Sequence, residues 1–456
     1  MSRTLAQPDV ALPGREVGRR ASALESVLER FDAVTVLTVM VILLVAIPSY
    51  LTVKAVGAAG TPANLVGMLG FLWWANARLV PSLEVGRGFQ PIRLGLAAFA
   101  ASLLASYAAA FSGATLLGLE SRAADRGILK LIAWSGMALL AADAITSRER
   151  LGQLLRRIVI AGVFLSGLGI LQFATGFDVR PWINIPGLST DASFDLIGQR
   201  AAFRRVGGTA MHPIEFGVVL ALILPIALHY AFNPKPGTKL YRWIAVAVIL
   251  VGIPMSLSRS AILGLFASFL VLFVTWPGGR RLQALIVAPV FAVAMRFAVP
   301  GLLGTIRNLF GTITADSSFQ TRTDDYAAVG PLIAKHPWLG RGFGTYLPEL
   351  YRFVDNQYLL SVVETGFVGL ALLLFLLLVG IGTARGARRR SPDPLTRDLA
   401  QSLAASVMVA LVSFVTFDAL SFPMVSAFTF LILGCAGALW RLSVQEQRQA
   451  RSARSV

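Results

Sequence analysis

Long apolar stretches separated by short polar joints run from Phe31 to Trp440. A bilayer's hydrocarbon core is about 30 Å thick and takes roughly 20 apolar residues to cross as a helix. Runs of that length recur and predict twelve helices, at about residues 33–53, 61–80, 91–112, 127–145, 157–176, 213–232, 241–257, 260–276, 283–300, 357–383, 399–418 and 421–440. The period-2 alternation of a lipid-facing barrel strand is absent. The pattern therefore reads as an all-α, polytopic transmembrane helical bundle of about 12 helices.

Two segments break the rhythm of short joints, from about Gly176 to His212 and from about Pro300 to Asn356. The second carries helix-capable stretches near Thr323–Ala334 and Pro348–Phe353, and joints of such length are usually functional. The sequence thus divides into a cytoplasmic N-terminal tail (1–30), helices over 31–199, a core over 200–384 that includes an external loop (300–356), the last two helices (385–440) and a basic, solvated tail (441–456). No short apolar segment with a small-residue cleavage site precedes Phe31, which leaves the first helix as the expected insertion signal.

Composition sharpens this picture. Hydrophobic residues make up 55% of the 456 and charged residues 14%, about half the share of a soluble domain. Cytoplasmic joints near helix ends accumulate Lys and Arg. With the N-terminus inside, the inner joints hold Arg87 and Arg93, Arg148 to Arg157, Lys235 to Arg242, Arg280 and Arg281, and Arg385 to Arg390, and both long segments fall outside. This distribution accounts for the net charge of +17 without nucleic acid. Cys435 is the single cysteine, and His212, His229 and His336 are scattered, so neither a disulfide framework nor a metal site is expected.

The basic residues that topology does not explain lie on the outer side: Arg200, Arg204 and Arg205, then Arg259 between two hydrophobic runs, then Arg322. An intramembrane cation is costly unless it meets an anion, and the guanidinium fork suits phosphate. Arg205-Val206-Gly207-Gly208-Thr209 leads to His212-Pro213, where a helix N-terminus would add partial positive charge. Arg259 sits between Ser258 and Ser260, and its bland alternative is an interfacial anchor. Downstream, His336-Pro337-Trp338-Leu339-Gly340-Arg341-Gly342 reads as a tight surface loop with a structural His336. Asp355-Asn356 precedes a helix bearing Tyr358 and Glu364. The pair could orient a sugar hydroxyl and Asp355 could take its proton, or the pair could cap the helix.

Taken together, Arg205-x-x-Gly-Thr before His212-Pro213, Ser258-Arg259-Ser260, Arg322 followed by His336-Pro337-x-x-Gly-x-Gly, and Asp355-Asn356 with Gly366 and Gly369 resemble the O-antigen ligase and polymerase family over residues 200–380. The resemblance implies a multi-pass protein of the bacterial cytoplasmic (inner) membrane, active on the periplasmic side. It implies an inverting, metal-independent glycosyltransferase without cofactor, which moves a saccharide from an undecaprenyl-diphosphate-linked oligosaccharide donor to a glycan or lipid acceptor. Arg205 and Arg259, with Arg322 and Arg204 as further candidates, would hold the donor diphosphate. Asp355 and Asn356 would serve the acceptor hydroxyl, supported by His212, His336, Tyr358 and Glu364. The ligase branch carries His where this chain has Asp355, which favours a polymerase-like reading over ligase-type transfer to a lipid or other acceptor. A lipid-linked oligosaccharide flippase or a membrane scaffold is the alternative of another class.

Overall fold

The computed structural model describes residues 32–80, 85–113, 116–190, 199–200, 203–302, 304–305 and 317–453. The helices are α1 (Ala33–Ala46), α2 (Pro62–Leu79), α3 (Pro91–Gly113), α4 (Gly118–Ala144), α5 (Arg148–Thr175), α6 (Pro213–Phe232), α7 (Lys239–Met255), α8 (Arg259–Thr275), α9 (Gly278–Ala298), α10 (Ser317–Lys335), α11 (Gln357–Arg390), α12 (Pro394–Ser413) and α13 (Pro423–Ser452). Eight of them, α3 to α6, α9 and α11 to α13, are long and apolar enough to cross a membrane. The shorter α1 and α2 precede them and α7 and α8 lie between α6 and α9, and α10 belongs to the second long segment.

Polar residues set where the apolar runs begin. Asp32 accepts from Thr35 N at 3.0 Å, Thr61 from Asn64 N at 3.3 Å and Ser147 from Arg150 N at 3.2 Å, each satisfying an orphan donor of a helix's first turn. The Ser147 cap starts α5 at Arg148, and Glu120, accepting from Leu117 N, holds the start of α4 at Gly118, each nine residues earlier than apolarity alone suggests. Their first turns are charged, and hydropathy reads charge as joint rather than helix. The last helix likewise runs on to Ser452, so most of the expected solvated tail is helical. Pro348–Phe353 forms turns and not a helix.

Over their most apolar windows, α13 is 89% and α6 83% buried, whereas α9 is 6% buried. α6 and α13 therefore form the core of the bundle, and α9 stands at its edge. Trp134 of α4 stacks on Phe430 of α13 with ring centroids 5.2 Å apart, and the helices close further over Gly434, where a Cβ would meet Ala138 O at 2.5 Å.

Short strands tie the loops of one end together. β1 (Leu51–Val53) pairs antiparallel with β2 (Leu188–Thr190) in the register Leu51 to Thr190, and β3 (Gln199–Arg200) pairs with β4 (Phe203–Arg204). At the opposite end, bases from the predicted inner joints meet carboxylates: Arg93 with Asp143 at 2.9 Å, and Arg280 with Asp398 at 2.7 Å beside His229.

Candidate functional site

The second long helix is broken where the sequence puts Gly366. Its φ of 68° and ψ of −174° interrupt α11 after about two and a half turns of mostly buried chain. A broken helix within a membrane must satisfy its freed backbone groups from neighbouring chain. Here the segment from His336 to Gly344 does so: Arg341 N and Gly342 N donate to the carbonyls of Val363 and Glu364 at 3.0 and 2.9 Å. In return, Phe367 N and Val368 N donate to the carbonyls of Pro337 and Trp338 at 2.9 and 3.3 Å. The approach is close enough that a Cβ on Gly366 would lie 2.2 Å from Trp338 C, and one on Gly340 2.2 Å from Glu364 C. The glycines of the His336–Gly344 motif thus make a backbone splint in the break, rather than the free surface loop expected from their turn-forming character.

Above the splint, Asn356 caps α11 through Oδ1, which accepts from Tyr358 N and Leu359 N at 3.0 and 3.2 Å. Next to it, Gln357 clamps the chain before α13: Gln357 N donates to Phe417 O at 3.0 Å, and Leu420 N donates to Gln357 Oε1 at 2.8 Å. This clamp brackets Asp418 and carries it to the side of Asp355.

Arg205 is positioned by a second loop. Gly207 N and Gly208 N both donate to Gln172 Oε1 of α5 at 3.0 Å. Arg180, paired with Asp178, donates to Ala210 O at 3.2 Å. Buried Glu215 then joins three segments, accepting from Ser49 Oγ at 2.8 Å, Met211 N at 2.8 Å and Met424 N at 2.6 Å. His212 is the N-cap of α6, and its Nδ1 accepts from Ile214 N at 3.1 Å. Burial, aided by Arg205 and Arg180, pushes the His212 ring down to about 4, so it is neutral at pH 7.

Arg259 opens α8 directly after the α7–α8 turn. Leu257 adopts φ 48°, a left-handed conformation that costs a non-glycine residue roughly 1–2 kcal/mol. Its side chain, fully buried against Met295 and Leu302, holds the turn in that shape, and Ser258 Oγ accepts from Ala261 N at 3.3 Å to cap α8.

These segments meet around one cavity of about 1040 Å³. Arg205, Arg259, His212 and Asp355, expected from the sequence, all line it. So do Asp418 and three bases on α4 (Arg122, Arg126 and Lys130), none of which the sequence reading picked out. The α4 bases had a signal, since they repeat every four residues on the outer side; it was masked when the helix was begun at 127. A side chamber of about 190 Å³ continues from the cavity past Arg126, Lys130 and Asp418 to Glu364.

Other expected residues stand elsewhere. Asn356 is spent on its cap, and Tyr358 donates to Leu411 O at 2.6 Å. Neither lines the cavity, and neither does His336, whose carbonyl accepts from Gly340 N at 3.0 Å. Glu364 Oε1 accepts from Tyr346 N at 3.3 Å, holding the chain beyond the splint. Arg322 falls within α10 and Arg204 within β4, but both side chains lie outside the described residues.

Asp418 is only 8% exposed. Burial first, and then the charge of Asp355, push its carboxyl up to about 7, against the bond from Ser421 and the charge of Lys130. Its Oδ1 is buried and has no hydrogen-bond partner among the described residues. Two carboxylates opposite guanidinium groups can together hold an anion and take a proton from a neighbouring hydroxyl. Among the described residues, no group of three or more His, Cys, Asp or Glu is placed to hold a metal ion.

A search of curated proteins found none that matches the chain. A chain from a solved structure described as "Structural coordination of polymerization and crosslinking by a peptidoglycan synthase complex" is similar over 78% of this chain and 98% of its own, at 18% identity and a TM-score of 0.39. At that score the likeness carries no weight. Residues 244–374, which hold Arg259, the splint and Asp355, match the family model described as O-Antigen ligase. That match, over part of the chain, supports an assignment to the O-antigen ligase and polymerase family.

Proposed function

We propose that the chain transfers a saccharide from an undecaprenyl-diphosphate-linked donor to the hydroxyl of a glycan acceptor, as a polysaccharide polymerase does, from the periplasmic face of the bacterial inner membrane. The observation that carries this reading is the single cavity that unites Arg205 and Arg259 with the Asp355 and Asp418 carboxylates. The guanidinium groups take the charge that builds on the diphosphate as the bond from the anomeric carbon to the phosphate oxygen breaks and its electron pair leaves with that oxygen. Fixed donors in a partly desolvated site supply most of such stabilisation. The acceptor oxygen forms the new bond to the same carbon, and its proton passes to the carboxylate pair. One displacement inverts the anomeric centre.

Asp355 is a weak base alone. Asp418 beside it is the stronger base once ionised, its carboxyl raised by burial first and by the charge of Asp355 after it. In this reading Asn356 acts indirectly, by fixing the start of α11 and with it the place of Asp355.

Purified protein given an undecaprenyl-diphosphate oligosaccharide is expected to release undecaprenyl diphosphate together with longer glycans. Arg259→Ala is expected to cut turnover by about 10²- to 10³-fold, the range for one lost charge-stabilising donor, while the protein still inserts. Movement of the lipid-linked sugar across the bilayer with no bond broken, or full turnover in Arg259→Ala, would overturn the reading.

A further inference from the structure

Arg122, Arg126 and Lys130 repeat at four-residue intervals, so they share one face of α4 and extend along roughly 12 Å of it. All three line the main cavity. Arg126 and Lys130 continue into the side chamber with Asp418, whereas Arg205 and Arg259 line the main cavity alone. The five bases therefore form two walls. The α4 wall belongs to a helix packed on α2 and α13, and the other wall to the segments that open α6 and α8.

Arg126 and Lys130 of the α4 wall are partly buried, whereas Arg122 is exposed. Gly57, at φ 57°, provides the seat of the Arg126 guanidinium, since a Cβ there would lie 2.4 Å from Arg126 Cζ. The start of α4 is fixed by Glu120, which accepts from Leu117 N at 2.9 Å and from both Arg341 and Tyr351. Cations near a helix's N-terminal end oppose its dipole, so α4 itself gains nothing from them.

In a single displacement the diphosphate leaves from the face of the anomeric carbon opposite the incoming hydroxyl. In the proposed reading Asp418 lies on the side of the hydroxyl, and Arg126 and Lys130 share the side chamber with it, whereas Arg122, Asp355, Arg205 and Arg259 line only the main cavity. Arg126 and Lys130 thus lie toward Asp418, apart from the Arg205 and Arg259 wall. Resting on the donor site proposed above, we infer that Arg122, Arg126 and Lys130 form a second anion subsite, which holds an anionic group of the acceptor. Two sources share this chemistry: the diphosphate of a second lipid-linked chain, and a carboxylate on an acidic sugar.

The test uses the full chain in nanodiscs with one donor and three acceptors. These are a glycan on polyprenyl diphosphate, the same glycan free and bearing one uronate, and that glycan with the uronate reduced to a neutral sugar. Wild-type protein is expected to favour at least one anionic acceptor over the neutral one by tenfold or more in kcat/KM, and which one it favours identifies the source. Arg126→Gln with Lys130→Gln is expected to lower that preference by about 10- to 100-fold through the KM for acceptor, as for a lost charge-assisted hydrogen bond, with the donor KM held. Arg126→Lys with Lys130→Arg should restore most of it. No preference in the wild type, an equal loss on charged and neutral acceptors, or a rise in donor KM would overturn the inference. Should no acceptor yield product, the transfer reading fails by itself. Equilibrium binding of the uronate glycan and of inorganic pyrophosphate then decides the subsite, which falls if the Gln variant binds both as tightly as wild type.

Discussion

Asp418 shows how a residue gains its chemistry from its surroundings. Its carboxyl is ordinary in sequence, yet burial and the neighbouring Asp355 raise its proton affinity to about 7. The raised value means that Asp418 keeps a proton below about pH 7 and is ionised above it. Turnover is therefore expected to rise with pH through about 7, and Asp418→Asn should remove that rise from the pH–rate profile while lowering the plateau. A profile unchanged by Asp418→Asn would exclude it from the base. Asp355→Asn is expected to lose about 10²- to 10⁴-fold, the usual worth of a positioned general base. Asp355 was legible as a candidate because it stands at a helix start next to Asn356. Asp418, 63 residues on, was not, because only the Gln357 clamp brings it there.

At the scale of elements, the splint in α11 is the feature on which the site's geometry hangs. Gly366→Ala combines a strained φ with a Cβ 2.2 Å from Trp338 C, so the splint must part or the helix must straighten. Either outcome moves Asp355. The variant is expected to lose at least about 2 kcal/mol of stability, as for other strained backbone sites, read as a lower detergent melting temperature. It should also lose transfer activity even where it still folds. Retained activity with unchanged melting would show that the break is not needed. The sequence showed the glycines and the proline of this motif but not their use, because the hydrogen bonds they complete belong to a helix more than 20 residues away in sequence.

At the scale of the whole molecule, the cavity opens at one end of the bundle and the paired bases gather at the other. The proposed reading has the cavity outside, because positive charge near helix ends favours the cytoplasmic side. Cys435 is buried, so new cysteines can report the orientation without background. In intact cells with a permeable outer layer, exposed Glu349→Cys is expected to react with a membrane-impermeant thiol reagent, and exposed Lys239→Cys only after lysis. The reverse pattern would invert the topology and with it the periplasmic site.

Apolar run length determined the all-α, multi-pass class and the order of the helices along the chain, because the hydrocarbon layer imposes that constraint locally on each segment, whereas eight helices and not twelve are long and apolar enough to cross a membrane. Arg205, Arg259 and Asp355 could be singled out for the same reason: each is a charge where the bilayer makes charge costly. Which charges share a cavity was decided only by packing. The Glu215 tie between three segments and the Gln357 clamp are contacts between segments distant in sequence, and no local pattern encodes their geometry.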